Sequence, residues 1–175
     1  MDVFEAIEKR HSYRGAYTDA PVSRDDLKRI VEAGLKAPSG CNTQTTTFVI
    51  VDDPAAMDVL RTTHTMRAVK EAKAFIVCCI AKDPKHVYRD HSFEVEDCSA
   101  AVQNMLLAAI ALGYGTVWID GALRYDGHAE RIDAALGVPA DRTARVLLPI
   151  GVPVEEGPRK TKMPFEQRAQ FNRHV

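Results

Sequence analysis

Ala74-Phe75-Ile76-Val77-Cys78-Cys79-Ile80-Ala81 is apolar from end to end. A strand with one wet face alternates polar and apolar side chains. An unbroken apolar run of this length therefore reads as a central strand covered on both faces. Helices must supply those covers, and the flanking sequence signals them. Asp2 is placed to cap a helix running to Lys9, with Val3, Phe4 and Ile7 on one face. Ser23, with Asp26 three residues on, caps a second helix whose inner face carries Leu27, Ile30, Val31 and Gly34-Leu35 and which Pro38 stops. Thr46 to Val51 is β-branched and aromatic, a strand ended by Asp52-Asp53-Pro54, and Pro54 opens a short helix to Arg61. Phe93 to Leu112 is apolar round most of a helical circumference, which predicts burial in a core or against another subunit. Further on, Thr116 to Ile119 reads as a third strand, Tyr125 to Leu136 as an amphipathic helix closed by Gly137, and Ala144 to Ile150 as a fourth strand. A Pro/Lys/Arg-rich tail follows, with a last helical piece near Phe165 to Asn172.

This order predicts one mixed α/β domain over residues 1–175, a small sheet wrapped by helices. Helical connections alone suggest a parallel sheet, yet no Gly-x-Gly-x-x-Gly follows the first strand. Hydrophobic residues make up 46%, charged residues 27%, and the net charge is −1, so no bulk affinity for nucleic acid or an anionic membrane is expected. Cys41, Cys78, Cys79 and Cys98 form no Cys-x-x-Cys pair. Adjacent strand residues point to opposite faces, so Cys78 and Cys79 are poorly placed to bridge. The four read as reduced, partly buried thiols of a cytoplasmic protein. The apolar stretch Cys98 to Ile119 is interrupted by Gln103, Asn104 and turn-formers and reads as a core helix running into a strand, not a membrane span. Met1 to Glu5 has no basic segment leading into an apolar one, so no signal peptide is expected there.

Four polar segments are candidates for chemistry. Arg10-His11-Ser12-Tyr13-Arg14 packs two guanidinium groups and a hydroxyl into five residues, and Arg10 and Arg14 at helical spacing would face the same way. Pro38-Ser39-Gly40-Cys41-Asn42-Thr43-Gln44 is a breaker-rich loop. Gly40 allows close backbone approach, and Asn42 and Gln44 each offer donor and acceptor together. The third is Gly113 to Gly121, with Trp118, Ile119 and Asp120, and the fourth is Lys160-Thr161-Lys162-Met163-Pro164. Read singly, each has a plain structural explanation: a basic helix end, a self-satisfied Asn/Gly loop, a core tryptophan, a solvated charge run. Read together, cations for a phosphate and amides for a flat heterocycle suit a mononucleotide such as FMN. Neither metal-ligand spacing nor Gly-x-Ser-x-Gly occurs.

In order and spacing these segments resemble the nitroreductase family of FMN-dependent oxidoreductases. Arg10-His11-Ser12-x-Arg14 looks like that family's first flavin motif. Ala37-Pro38-Ser39-x-x-Asn42-x-Gln44 resembles its second, although Gln44-Thr45-Thr46 stands where the family often has Gln-Pro-Trp. Leu112-Gly113-x-Gly115 leading to Trp118-Ile119-Asp120-Gly121 is similar to the family's central helix, strand and flavin-facing loop. Lys160-x-Lys162-x-Pro164 matches its C-terminal basic element. The resemblance implies an α+β fold with a mostly antiparallel sheet, and an intertwined homodimer with FMN at the interface. It implies that Arg10, Ser12 and Lys162 hold the phosphate with the His11 backbone alongside, and that Arg14 lies near the N1/O2 edge. It also implies that Pro38, Ser39, Gly40, Asn42 and Gln44 come from the second chain, with Asp120 and Gly121 near N5. NADH or NADPH would be the reductant and a nitroaromatic, quinone or similar small molecule the acceptor. A flavin-binding storage or sensor protein without NAD(P)H turnover is the alternative, and a plain α/β interaction module a third reading.

Overall fold

A computed structural model describes residues 1–174. The predicted caps form. Asp2, Ser23 and Asp53 each accept a backbone N–H three residues on, at 2.8, 3.1 and 2.9 Å. They open α1 (Val3–Lys9), α2 (Arg24–Leu35) and α3 (Pro54–Arg61). The remaining elements are β1 (Thr47–Val51), α4 (Arg67–Lys70), β2 (Ala74–Ala81), α5 (Glu94–Ala111), β3 (Gly115–Thr116), α6 (His128–Leu136) and β4 (Arg142–Gly151). The strands lie in the order β1-β2-β4-β3 and every pairing is antiparallel, so the helical connections do not indicate a parallel sheet here.

β2 is central and covered on both faces, as its apolar run predicts. Phe75, Val77 and Cys79 enter one core with Leu60, Val69 and Ile132, from the elements α3, α4 and α6. Ala74, Ile76 and Cys78 enter the other with Leu27, Ile30, Val102 and Met105, from α2 and α5. Helix α2 runs antiparallel to α5: Gly34 near its end is pressed against Met105 and Ala101, while Asp26 at its start accepts the Tyr114 hydroxyl at 2.9 Å. β4 carries a bulge. Cys78 pairs with Val146 and Cys79 with Ala144, which leaves Arg145 unpaired.

Four expectations need correction. β3 is two residues long and resumes only as a bridge between Ile119 and Leu147. In that register Val117 lies opposite Pro149, which has no N–H to give. The Pro149 carbonyl instead accepts the Tyr17 hydroxyl at 3.3 Å. α6 starts at His128 because Asp126 and Gly127 take left-handed φ values of 57° and 66°. The helical piece of the tail is confined to a single 3-10 turn at Phe165–Gln167 rather than running to Asn172, and α4 was not foreseen. Finally, α1 ends at Lys9 and Arg10 is already extended, so Arg10 and Arg14 do not share a helical face. The four cysteines are free, with Cys41 exposed and the other three buried.

Candidate functional site

The Arg10–Arg14 segment is an extended run pinned by aromatic anchors. Tyr13 N–H donates to the Thr116 carbonyl at 2.9 Å, and Thr18 N–H to Val152 at 2.8 Å. The Tyr13 and Tyr17 rings are buried 5.3 Å apart, and Tyr17 also donates to the Gly115 carbonyl at 3.1 Å. The Tyr13 hydroxyl donates to the Ala16 carbonyl. With the tyrosines inward, Arg14 is exposed and donates to the Ser12 carbonyl at 3.1 Å, and Arg10 and Ser12 are half-buried. Arg10 has no ion pair among the described residues, nor do Lys160 and Lys162 in the exposed tail. His11 Nδ1–H donates to the Lys9 carbonyl at 3.1 Å, while its buried Nε2 finds no partner among the described residues. The base of the tail closes over this segment: Val154 N–H donates to Ala16, and a Cβ on Gly157 would sit 3.2 Å from His11 Nε2.

The Pro38–Gln44 loop is held at the other end of α5. Gly40 N–H donates to Asp97 Oδ1 at 2.8 Å, and its Cα lies so close to Phe93 that a Cβ would fall 2.3 Å from the ring. Only glycine fits there. Ser39 Oγ accepts Gln44 N–H at 3.1 Å. Between these anchors Cys41, Asn42 and Gln44 are all left-handed, with φ of 49°, 57° and 52°. Such backbone costs on the order of 1–3 kcal/mol per residue and persists only where its surroundings enforce it. Asn42 and Gln44 are exposed there, and Gln44 Nε2 donates to the Asn42 carbonyl at 3.3 Å. Behind the loop, Leu35, Pro38, Thr45, Thr46, Phe48 and Ala101 are among the residues lining a cavity of about 50 Å³. The Thr45 and Thr46 hydroxyls find no partner among the described residues.

The third segment runs from β3 back along β4. Trp118 is half-buried against the α2–α5 core, and Ile119 exchanges backbone bonds with Leu147 at 3.1 and 2.8 Å. Asp120 binds the Arg124 guanidinium at 2.8 and 3.0 Å and lies 3.6 Å from Arg145. Gly121 is exposed.

The structure thus brings the first segment, β3 and the base of the tail together, and holds the Pro38–Gln44 loop apart from them. The 18 residues of α5 span about 27 Å between the two ends. Phe93, Asp97, Tyr13 and Arg145 shape the site without having been singled out in sequence, because each acts through a contact far along the chain. Only the placing of Arg145 within the otherwise apolar run Ala144 to Ile150 was a visible signal. Among the described residues no group of three or more His, Cys, Asp or Glu is placed to hold a metal, and no helix is long and apolar enough to cross a membrane.

The family model for the nitroreductase family matches residues 7–75 and 59–152. A protein of Archaeoglobus fulgidus named "Putative NADH dehydrogenase/NAD(P)H nitroreductase" is 32% identical over 156 residues, 89% of this chain and 87% of that one. One of the same name from Methanothermobacter thermautotrophicus is 34% identical, over 89% of this chain and 79% of that one. The crystal structure described as a "putative nitroreductase in complex with fmn" from Desulfovibrio desulfuricans is 31% identical. It aligns with a TM-score of 0.81 over 99% of this chain and 98% of that one. On the strength of these matches across both halves of the sequence, the chain belongs to the nitroreductase family.

Proposed function

We propose that this chain is an FMN-dependent NAD(P)H oxidoreductase acting on a small acceptor such as a nitroaromatic or a quinone, in which two copies complete each cofactor site. The observation that carries the reading is the division of cofactor-competent groups between the two ends of α5. One end offers unpaired cations, the other a strained loop presenting two carboxamides. The residues suit FMN chemically: Arg10, Ser12, Lys160 and Lys162 for the phosphate, with His11 and its unsatisfied ring nitrogen beside them. Arg14 supplies a positive charge for the heterocycle's electron-rich edge. Pro38, Ser39, Gly40, Asn42 and Gln44 of a second copy supply its hydrogen bonds, and Trp118, Ile119, Asp120 and Gly121 border it. FMN, when bound, supplies hydride exchange between a reduced nicotinamide and the acceptor. The chain's own work is to bind, to orient, and to keep a fixed cation where negative charge develops, which costs no rearrangement during reaction.

The absorbance spectrum of the purified protein, before and after anaerobic NADH or NADPH, tests this. Flavin bands that bleach with either nicotinamide are the expected result. Bands that persist would indicate flavin binding without turnover. A colourless protein whose melting temperature ignores added FMN would sink the reading, since a ligand at 100 times its Kd adds about 2.7 kcal/mol.

A further inference from the structure

Arg145 is a cation in a strand whose next residues are Val146, Leu147 and Leu148, all at most 1% exposed. The bulge explains how it is accommodated. An extra residue in one strand re-aims its side chain, and such bulges are over-represented beside functional sites. Ala144 and Leu147 face the α3–α6 core, while Val146 and Leu148 face the α2–α5 core. The unpaired Arg145 goes to the second side, with its side chain 18% exposed and Nη2 3.6 Å from Asp120 Oδ2. Two further groups lie beneath. Glu94 is 7% exposed, and its Oε2 has no partner among the described residues. The Cys98 thiol is lowered first by its hydrogen bond with Cys78. It is also close enough to feel Arg145, Asp120 and Glu94.

A half-buried ion pair is weak as a stability device, because desolvation offsets most of its attraction. Its location is the informative part. It sets a second, less exposed cation beside the carboxylate of Asp120, which Arg124 already grips at 2.8 and 3.0 Å. Asp120 precedes Gly121 in the segment that borders the proposed cofactor site. The other cation on Asp120, Arg124, is 50% exposed and better screened by solvent.

We infer that Arg145 is a positioning residue, aimed by the β4 bulge to hold Asp120 and to set the charge balance of the Trp118–Gly121 segment. This rests on the FMN reading above. Without Arg145, Asp120 keeps only the exposed Arg124 to offset it, and the segment becomes more negative. Reduced FMN, the more electron-rich form, then binds less well relative to oxidised FMN.

The test measures FMN affinity and the midpoint potential of the bound flavin in the full-length holoprotein and in Arg145→Met, Arg145→Lys and Asp120→Asn. Arg145→Met is expected to retain FMN and move the potential negative by the equivalent of about tenfold in relative affinity, about 30 mV for two electrons. Arg145→Lys should restore part of the shift, and Asp120→Asn should move it the other way. A merely structural Arg145 would weaken both oxidation states alike and leave the potential unmoved. Unmoved potentials in all three variants with FMN bound would overturn the inference. Should Arg145→Met fail to fold, Arg145→Lys and Asp120→Asn decide it. A wild-type protein that takes up no FMN would overturn the functional reading first, before any variant is compared.

Discussion

Tyr114 donates its hydroxyl to Asp26 at 2.9 Å, and that bond, helped by Ser23 and Arg29, holds the Asp26 carboxyl below its usual range. A carboxyl depressed in the folded state contributes stability above its unfolded pKa. That contribution is lost as the pH falls through the folded value. Tyr114→Phe should therefore melt earlier than wild type at neutral pH, and the difference should shrink on acidification through the carboxylate range. Thermal melts across pH check this. At the proposed cofactor site, the roles of Arg10 and Arg14 should separate. Losing a charge-assisted contact costs roughly 1.5–3 kcal/mol. Arg10→Ala should weaken FMN retention by tenfold or more with a smaller effect on reduction, and Arg14→Ala the reverse. Bound flavin and single-turnover reduction by NADH measure the two. Arg10, Asn42 and Gln44 could be named as candidates from sequence because the chemistry they offer is carried by the residue type. Tyr13 and Asp97 were not, since their importance lies in what they grip: the Thr116 carbonyl and the Gly40 N–H.

The Pro38–Gln44 loop depends on the close seat of Gly40 against Phe93 at the start of α5. Gly40→Ala forces a methyl into the ring and should destabilise the protein by roughly 1–3 kcal/mol. It should also weaken FMN binding, because the outward carboxamides depend on that seat. Adding Phe93→Ala should recover part of the affinity. Denaturant unfolding and FMN titration of the single and double variants check both effects. Elements defined by local signals were readable in advance: capped α1, α2 and α3, and unalternating β2. Elements decided at long range were not. β3 breaks off because Pro149 faces Val117 across the sheet, a pairing no local pattern contains. The strand directions likewise could not be deduced from helical connections, and it was the resemblance of the polar motifs that indicated an antiparallel sheet.

Across the whole molecule, α1 leaves one apolar helix face outside, and the tail an apolar ring. Val3, Phe4 and Ile7 on α1 are 58%, 81% and 53% exposed, and Phe171 in the tail is 81% exposed. Single exposed hydrophobic residues are ordinary, but a helix face of them marks a contact surface. Val3, Phe4 and Ile7 were visible in sequence as one face of α1, and in the structure of the single chain that face is outward. In the two-copy assembly proposed above, the second copy would cover it. Phe4→Asp should shift the protein toward monomer and release FMN together, read by light scattering and by the flavin absorbance of the same fractions. The length of α5 carries this further. Since the cation segment and the carboxamide loop sit at its opposite ends, damage to each can be carried by different molecules. Neither Arg10→Ala nor Asn42→Ala alone would leave a sound pocket. If the two preparations are unfolded and reassembled together, about half the particles should be hybrids with one intact pocket out of two, as random pairing in a twofold assembly requires. Two proteins that each retain FMN poorly would then regain tight FMN binding in about a quarter of all pockets.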